Sequence, residues 1–486
     1  MLSTVFLLQL FQRSYADVFV YPTILQERTT AKNLVLRLDN NLTLNLERSL
    51  VLADELIVVT SSHGGDQLDK VDTSAIQEVL YQDTHHQSSL TVRHREGSVL
   101  VEGIINHELR IKPLPEDERS LQGRVLHKIY KVEEIKGTYA NIEPALAHVF
   151  ERSNEGHQLK ARGHNNRKSP QSTSHGEPQP KAKAEKFKAE LHVVSDSVHQ
   201  KNFKKNEELI AYLAVLTNAV NLRYLDMRNP RISFILVGLT RSKDDPFAIH
   251  KQGYLDGDET LKGLREYYSK GKVPGNPDLI FLATGQDIAT IKNGDTKPSV
   301  SGIAYVGAVC TESRVGQGED TATTYNGAHT MAHELAHLLG SQHDDIHKDP
   351  ACAWSQGYLM SYVDGGTKRF RLSSCSEQMI RDNFKKLKQQ CIDVNAQQNY
   401  LKDHRKFPGQ TMREAHYCRK ILKKGHREKV SVKKPPNLTR TCEMNCCTDQ
   451  IGYRTCRRAK IPDGMACSDG KTCKRGVCGF HTWEKF

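Results

Sequence analysis

The sequence predicts an α/β domain with a mixed, mostly parallel sheet and covering helices, preceded by a mainly β region and followed by a small disulfide-rich module. Three features of the 486-residue chain carry this expectation. Between residues 187 and 395, strand-like apolar runs alternate with segments of helical periodicity. Ahead of them, residues 161–186 contain no Ile, Leu, Val, Met, Phe, Tyr or Trp, so they cannot bury a core and set off a separate N-terminal part. Behind them, eight of the 12 cysteines fall between Cys418 and Cys478.

Taken in order, residues 1–11 form an apolar run too short to span a bilayer, and Ser14-Tyr15-Ala16 places small residues where a signal peptidase reads. Residues 1–16 are therefore expected to be a signal peptide and the protein to be secreted. No run of 18 apolar residues follows, which excludes a membrane-spanning helix. Residues 17–160 read as strands. Val18-Phe-Val-Tyr, Asn33-Leu-Val-Leu-Arg-Leu, Leu42-Thr-Leu-Asn-Leu, Leu56-Ile-Val-Val-Thr and Val99-Leu-Val-Glu-Gly-Ile-Ile alternate or run apolar. No cluster there looks like chemistry. Residues 161–186 read as an exposed connection suited to proteolytic processing, because a protease needs an accessible, extended chain; a plain hinge is the alternative. Within 187–395, Glu190-Leu-His-Val-Val and residues 232–239, 279–283 and 302–310 read as strands, while Leu209, Leu213, Leu216 and Val220 recur at helical spacing. Residues 396–486 read as the disulfide-held module.

Charge is as uneven as cysteine. Lys and Arg total 69 against 57 Asp and Glu, a net of +12. Residues 401–486 hold 21 basic and 8 acidic residues, net +13, so the first 400, with 48 and 49, are balanced. An even cysteine count packed at one end indicates disulfides and an oxidising compartment. Asn41 and Asn437 head Asn-x-Thr triplets and would be glycosylation acceptors in a secreted chain.

The segment that carries chemistry is His329-Thr-Met-Ala-His333-Glu334-Leu-Ala-His337-Leu-Leu-Gly340-Ser-Gln-His343-Asp344. On a helix, His333 and His337 project from one face one turn apart, where one tetrahedral Zn²⁺ accepts both imidazoles. Glu334 sits beside the first ligand and can take a proton from water. Gly340 ends the helix in a left-handed turn, and the reversal brings His343 in as third ligand. Three histidines leave one position open, the mark of a catalytic site. Met360, in Tyr358-Leu-Met360-Ser-Tyr, would form an apolar floor beneath the imidazoles.

His333-Glu-x-x-His-x-x-Gly-x-x-His343 followed by Met360 resembles a metzincin. Asp344 after the third histidine is similar to the reprolysin (adamalysin) branch, which holds the ADAM and ADAMTS enzymes and snake-venom metalloproteases. Ile303-Ala-Tyr-Val-Gly-Ala-Val-Cys-Thr-Glu-Ser resembles that family's edge strand, and Ser373-Ser-Cys375-Ser-Glu-Gln its late helix start. Val18-Phe-Val-Tyr-Pro-Thr resembles a reprolysin prodomain. Phe407-Pro-Gly-Gln-Thr and the segment from Pro462 to Cys478 resemble disintegrin-like and Cys-rich parts. The short architecture is most similar to secreted tick salivary metalloproteases. Ala336 stands where the family usually has Gly, and no Arg-Gly-Asp is present.

The resemblance implies a metzincin-like catalytic domain (187–395) with a zinc cleft, a prodomain (17–160) and a truncated disintegrin-like or Cys-rich module (396–486). It implies a zinc metalloendopeptidase made as a zymogen, with Glu334 as general base and His333, His337 and His343 as ligands. Gly302, Ile303, Ala304 and Tyr305 would hold an extended substrate, and Ser361 to Phe370 would line the pocket following the cut bond. Cys310 would pair with Cys391 and Cys352 with Cys375. An accessory Ca²⁺ would use Glu190, Asp278 and Asp393. Expected substrates are matrix, fibrin(ogen) or other haemostatic proteins. The basic tail would bind glycosaminoglycans or acidic protein surfaces, a solvated face that only aids solubility being the alternative, and no nucleic-acid partner is expected. The rival reading is a non-enzymatic toxin or adhesion antagonist acting through the tail; the intact Glu334 argues against it.

Overall fold

The computed structural model describes residues 17–28, 33–61, 65–95, 98–114, 124–132, 185–298, 300–345, 349–394, 408–422, 429–450, 453–474 and 476–481. The proposed signal peptide and all but the end of the proposed linker lie outside the described residues. The chain divides into two compact units, one of residues 51–73 and 135–398, the other of residues 1–50, 74–134 and 399–486.

The first unit is built on a seven-stranded sheet. Its order is Gly302–Ala304, Val315–Glu319, Leu279–Thr284, Lys186–Ser195, Arg231–Ser242, Leu52–Ser61 and Gln67–Asp72. The ladders from Val315–Glu319 to Leu52–Ser61 are parallel, and the two outermost strands run antiparallel. Parallel strands need cover on both faces, which is why Leu279–Thr284 is buried at every residue and reads as a continuous apolar run. Asn206–Arg223, Gly257–Ser269, Ala328–Leu339 and Ser374–Phe384 are the principal helices of this unit. Short polar side chains begin two of them: Asp256 accepts from Glu259 N at 3.3 Å and Ser373 from Ser376 N at 3.1 Å.

Two expectations need correcting here. Residues 302–310 do not form one strand. Only Gly302–Ala304 is extended, because Gly307 and Cys310 adopt positive φ of 70° and 60°, which breaks the pleat. The strand Val315–Glu319 was not expected, since its sequence Val-Gly-Gln-Gly-Glu lacks the usual β-formers. Its glycines have a packing reason. A Cβ on Gly318 would come within 2.7 Å of Thr330 Cγ2, on the helix that lies across this strand.

Leu52–Ser61 and Gln67–Asp72 belong in sequence to the N-terminal β region, yet they extend the sheet beyond Arg231–Ser242, with Val58 opposite Leu239. This hairpin is on the sheet edge opposite Gly302–Ala304. Tyr267 Oη donates to Ser61 Oγ at 3.1 Å, and Lys272 Nζ pairs with Asp66 at 2.8 Å.

The second unit contains a nine-stranded antiparallel sheet, running from Val18–Val20 at one edge to Thr23–Arg28 at the other. It also contains two three-stranded sheets from the C-terminal module. Four disulfides tie that module to itself: Cys418–Cys446, Cys442–Cys473, Cys447–Cys456 and Cys467–Cys478.

Candidate active site

The helix Ala328–Leu339 is buried along its whole length and is fixed at both ends. At its start, Gly327 N donates to Asp320 Oδ1 at 2.8 Å. Asp320 is itself held by Tyr212 Oη at 2.6 Å and His199 Nε2 at 2.9 Å. At its end, Gly340 takes φ of 113°, a conformation that only glycine adopts without strain. The freed carbonyl of Leu339 accepts from Asn383 Nδ2 at 3.0 Å, and a Cβ on Gly340 would strike Asn383 Cβ at 2.6 Å. The chain then turns back and carries His343 to the face that bears His333 and His337.

The ligating atoms of the three imidazoles converge within 4.8 Å of one another. His343 Nε2 lies 3.0 Å from His333 Nε2 and 3.3 Å from His337 Nε2. Each outer nitrogen has its own partner. His333 Nδ1 donates to Leu359 O at 2.9 Å and His337 Nδ1 to Ser341 O at 2.8 Å. His343 Nδ1 lies 2.9 Å from Tyr362 Oη. Carbonyls accept only N–H, so Nδ1 holds the proton on His333 and His337, and their Nε2 lone pairs face inward. Lone pairs at such separations repel unless a cation lies between them. The donor set and its outer hydrogen bonds therefore fit Zn²⁺ with one position left open. Burial, aided by His337, holds His333 down at about 3, and burial holds His337 at about 4, so both stay neutral ligands.

Glu334 follows the first ligand and is buried. Its Oε2 has no hydrogen-bond partner in the structure, an unusual state for a buried carboxyl and one that a water or substrate group would satisfy. Burial pushes its pKa well above the usual carboxylate range. Gly302 abuts it, since a Cβ there would lie 2.8 Å from Glu334 Oε1. The expected substrate strand is thus brought beside the expected base. Gly302, Ile303 and Ala304 form the sheet edge, and Tyr305 follows directly.

Met360 is fully buried, and its carbonyl accepts from Asp344 N at 2.9 Å. Asp344 Oδ1 accepts from Ser373 Oγ at 2.5 Å and Ser376 Oγ at 3.0 Å. It thereby ties the segment after His343 to the start of helix Ser374–Phe384. Arg369 Nε lies 3.4 Å from His329 Nδ1, one helical turn ahead of His333. Sequence reasoning missed Asn383, and it placed Tyr362 and Arg369 only within the segment Ser361 to Phe370 expected to line the pocket, without their contacts to His343 and His329. Tyr362 lay two residues past the singled-out Met360, but a tyrosine carries no spacing signature, and the other two meet the site only through the fold.

Cys310–Cys391 and Cys352–Cys375 are bonded. Asp278 Oδ2 accepts from Glu190 N at 2.8 Å, and Asp278 lies by the Cys310–Cys391 bridge. Burial raises the Asp278 carboxyl to about 7. Asp393 is not brought into this group; its Oδ1 accepts from Gln389 Nε2 at 2.8 Å. Asn41 and Asn437 are both exposed. Among the tail's basic residues, Lys434 pairs with Glu414, while Arg458 and Lys460 pair with Glu443. The run Lys423 to Arg427 lies outside the described residues.

Residues 188–395 match the family model described as Reprolysin (M12B) family zinc metalloprotease. Venom metalloproteinase BumaMPs1 of Olivierus martensii is 26% identical over 379 residues, covering 75% of this chain and 88% of its own length. Venom metalloproteinase antarease TserMP_A of Tityus serrulatus is 25% identical over 344 residues, covering 66% of this chain and 81% of its own. A Bombyx mori protein described as a disintegrin and metalloproteinase with thrombospondin motifs like is 24% identical over 460 residues, covering 82% of this chain and 64% of its own.

Proposed function

We propose that the chain, a zinc metalloendopeptidase whose residues 188–395 match the reprolysin (M12B) family, is a secreted enzyme, made as a zymogen, in which Glu334 is the general base. The observation that carries the reading is the partnerless Oε2 of Glu334 beside three converging histidine nitrogens. His333, His337 and His343 would hold Zn²⁺, which supplies Lewis acidity by polarising the scissile carbonyl and acidifying water. Glu334 takes the proton of the attacking water and returns it to the leaving amine. The edge Gly302–Ala304 aligns an extended substrate by main-chain hydrogen bonds. Arg369 stands on the side of His329 and pairs with Asp364 at 3.2 Å.

Secretion is supported by six disulfides and by the venom metalloproteinases among the relatives. Its substrates are proposed to be extracellular host proteins of matrix or blood, with the basic module as an exosite for acidic surfaces or glycosaminoglycans. No cysteine precedes Cys310, so no thiol latch operates, and activation requires a cut within residues 161–186. Phenanthroline should abolish cleavage of a quenched peptide and added zinc restore it. Amino-terminal mapping of the active form should place its start between residues 161 and 190. Activity that survives full chelation overturns the zinc reading, and an active, uncut precursor overturns the zymogen reading.

A further inference from the structure

Strands Asn33–Arg37 and Thr43–Arg48 alternate in character. Leu34, Leu36, Leu44 and Leu46 enter the core of the nine-stranded sheet. The opposite face carries Val35, Arg37, Asn45 and Glu47. In an antiparallel sheet with one wet side, a face with this composition is left to water. Here it is covered. Val35 is only 3% exposed and belongs to the apolar core of the C-terminal module, with Met412, Tyr417, Met444 and Met465. Leu25 packs on the same cluster. Asn45 is buried beside Tyr417, which is itself buried. Burial, partly offset by the bond from Gln82 and reinforced by Asp463 and Asp83, raises the Glu47 carboxyl to about 8.

The turn after strand Leu80–Asp83 makes a second patch. Thr84 Oγ1 donates to Asp463 Oδ2 across 379 residues of sequence. The His85 ring lies against Gly476, where a Cβ would come within 3.0 Å of it. All four disulfides of the module close within the module. No covalent bridge explains why these remote segments meet; the burial of Val35 and Asn45 and the Thr84–Asp463 hydrogen bond do.

We infer that the N-terminal β region is the intramolecular partner of the C-terminal module, docking through Val35, Asn45 and Thr84 onto the side of the module that carries Tyr417, Met465 and Asp463. While the region is in place, that side of the module is closed to other proteins. A cut within residues 161–186 does not by itself expose it; the β region must also dissociate. The interface is independent of the catalytic reading, and only its consequence for substrate access rests on the zymogen proposal.

The test uses the full-length chain with a site-specific protease sequence inserted between residues 397 and 401. The folded protein is cut there and run on size exclusion at neutral pH and physiological salt. The expected result is that the piece carrying residues 401–486 co-elutes with the remainder. A module that elutes alone with its four disulfides intact overturns the inference. The Val35→Glu/Asn45→Lys variant, cut in the same way, should release the module at least tenfold faster. Thr84→Val and Asp463→Asn, milder changes that keep shape, should each speed release measurably and hold the catalytic unit's melting temperature. Release rates equal to the parent's in all these variants would show that other surfaces retain the module and would overturn the assignment. A second inserted site within residues 161–186 reads retention of the N-terminal piece separately, so a failure of the processing reading is distinguishable.

Discussion

Gly340→Ala tests how the third ligand is placed. Two separate penalties act at this position. The φ of 113° is a conformation that L side chains rarely adopt, costing about 1–2 kcal/mol. The new methyl would also meet Asn383 Cβ at 2.6 Å, so Asn383 must move and leave Leu339 O unpaired, about 1–3 kcal/mol more. The sum is roughly 2–5 kcal/mol, or a fall of roughly 4–20 °C in the melting temperature of a domain this size. Because the turn delivers His343, zinc affinity should fall together with stability. Gly271→Ala separates the terms: φ is 71° there and nothing lies within 4 Å of the added Cβ, so strain alone acts. Calorimetry of both variants, with zinc titrated by a competing chelator, is the assay. A Gly340→Ala protein that melts no lower than Gly271→Ala and keeps parental zinc affinity would refute the argument.

Further outcomes follow from the same geometry. Tyr362→Phe should weaken zinc binding by about 10–100-fold, the usual effect of losing an outer hydrogen bond to a ligating histidine; competition titration reads it. The Glu319 carboxyl is raised to about 7, chiefly by burial. A raised folded pKa means stability that is complete below the unfolded value near 4.5 and lost as pH rises through 7. Glu319→Gln should therefore lose less stability than the parent between pH 5 and 8 in thermal melts. Opening the 81- and 23-residue separations closed by Cys310–Cys391 and Cys352–Cys375 should cost about 3–4.5 kcal/mol each by chain entropy, measured with paired Cys→Ser variants in denaturant.

The catalytic constellation was legible in sequence because its parts are close together. His333, Glu334 and His337 share a helix face by periodicity alone, and Gly340 announces the turn that delivers His343. The partners that orient these side chains were not legible. Asn383 reaches the helix end across 44 residues, and Tyr362 is found only once the turn around Met360 is built. Strand Val315–Glu319 escaped because its glycines serve close packing, which weakens every local strand signal. The alternation of Leu42-Thr-Leu-Asn-Leu identified the strand, but not that Asn45 on its polar face is buried. Alternation tells which residues share a face, and cannot tell what covers it. Cysteine counts gave an oxidising compartment and a module, while the hairpin Leu52–Ser61 and Gln67–Asp72 joined a sheet whose other strands lie far downstream. Nothing in its own sequence could point there.

The measurement that bears most directly on the account is Glu334→Gln in the processed enzyme, with zinc content, melting temperature and peptidase turnover read on one preparation. Glutamine keeps the shape and cannot accept the proton. The account predicts one zinc per chain, a melting temperature at or above the parent's, and turnover lower by at least about 100-fold, the lower end of the general-base contribution. Turnover within tenfold of the parent at full zinc content would contradict the assignment of Glu334 as the base.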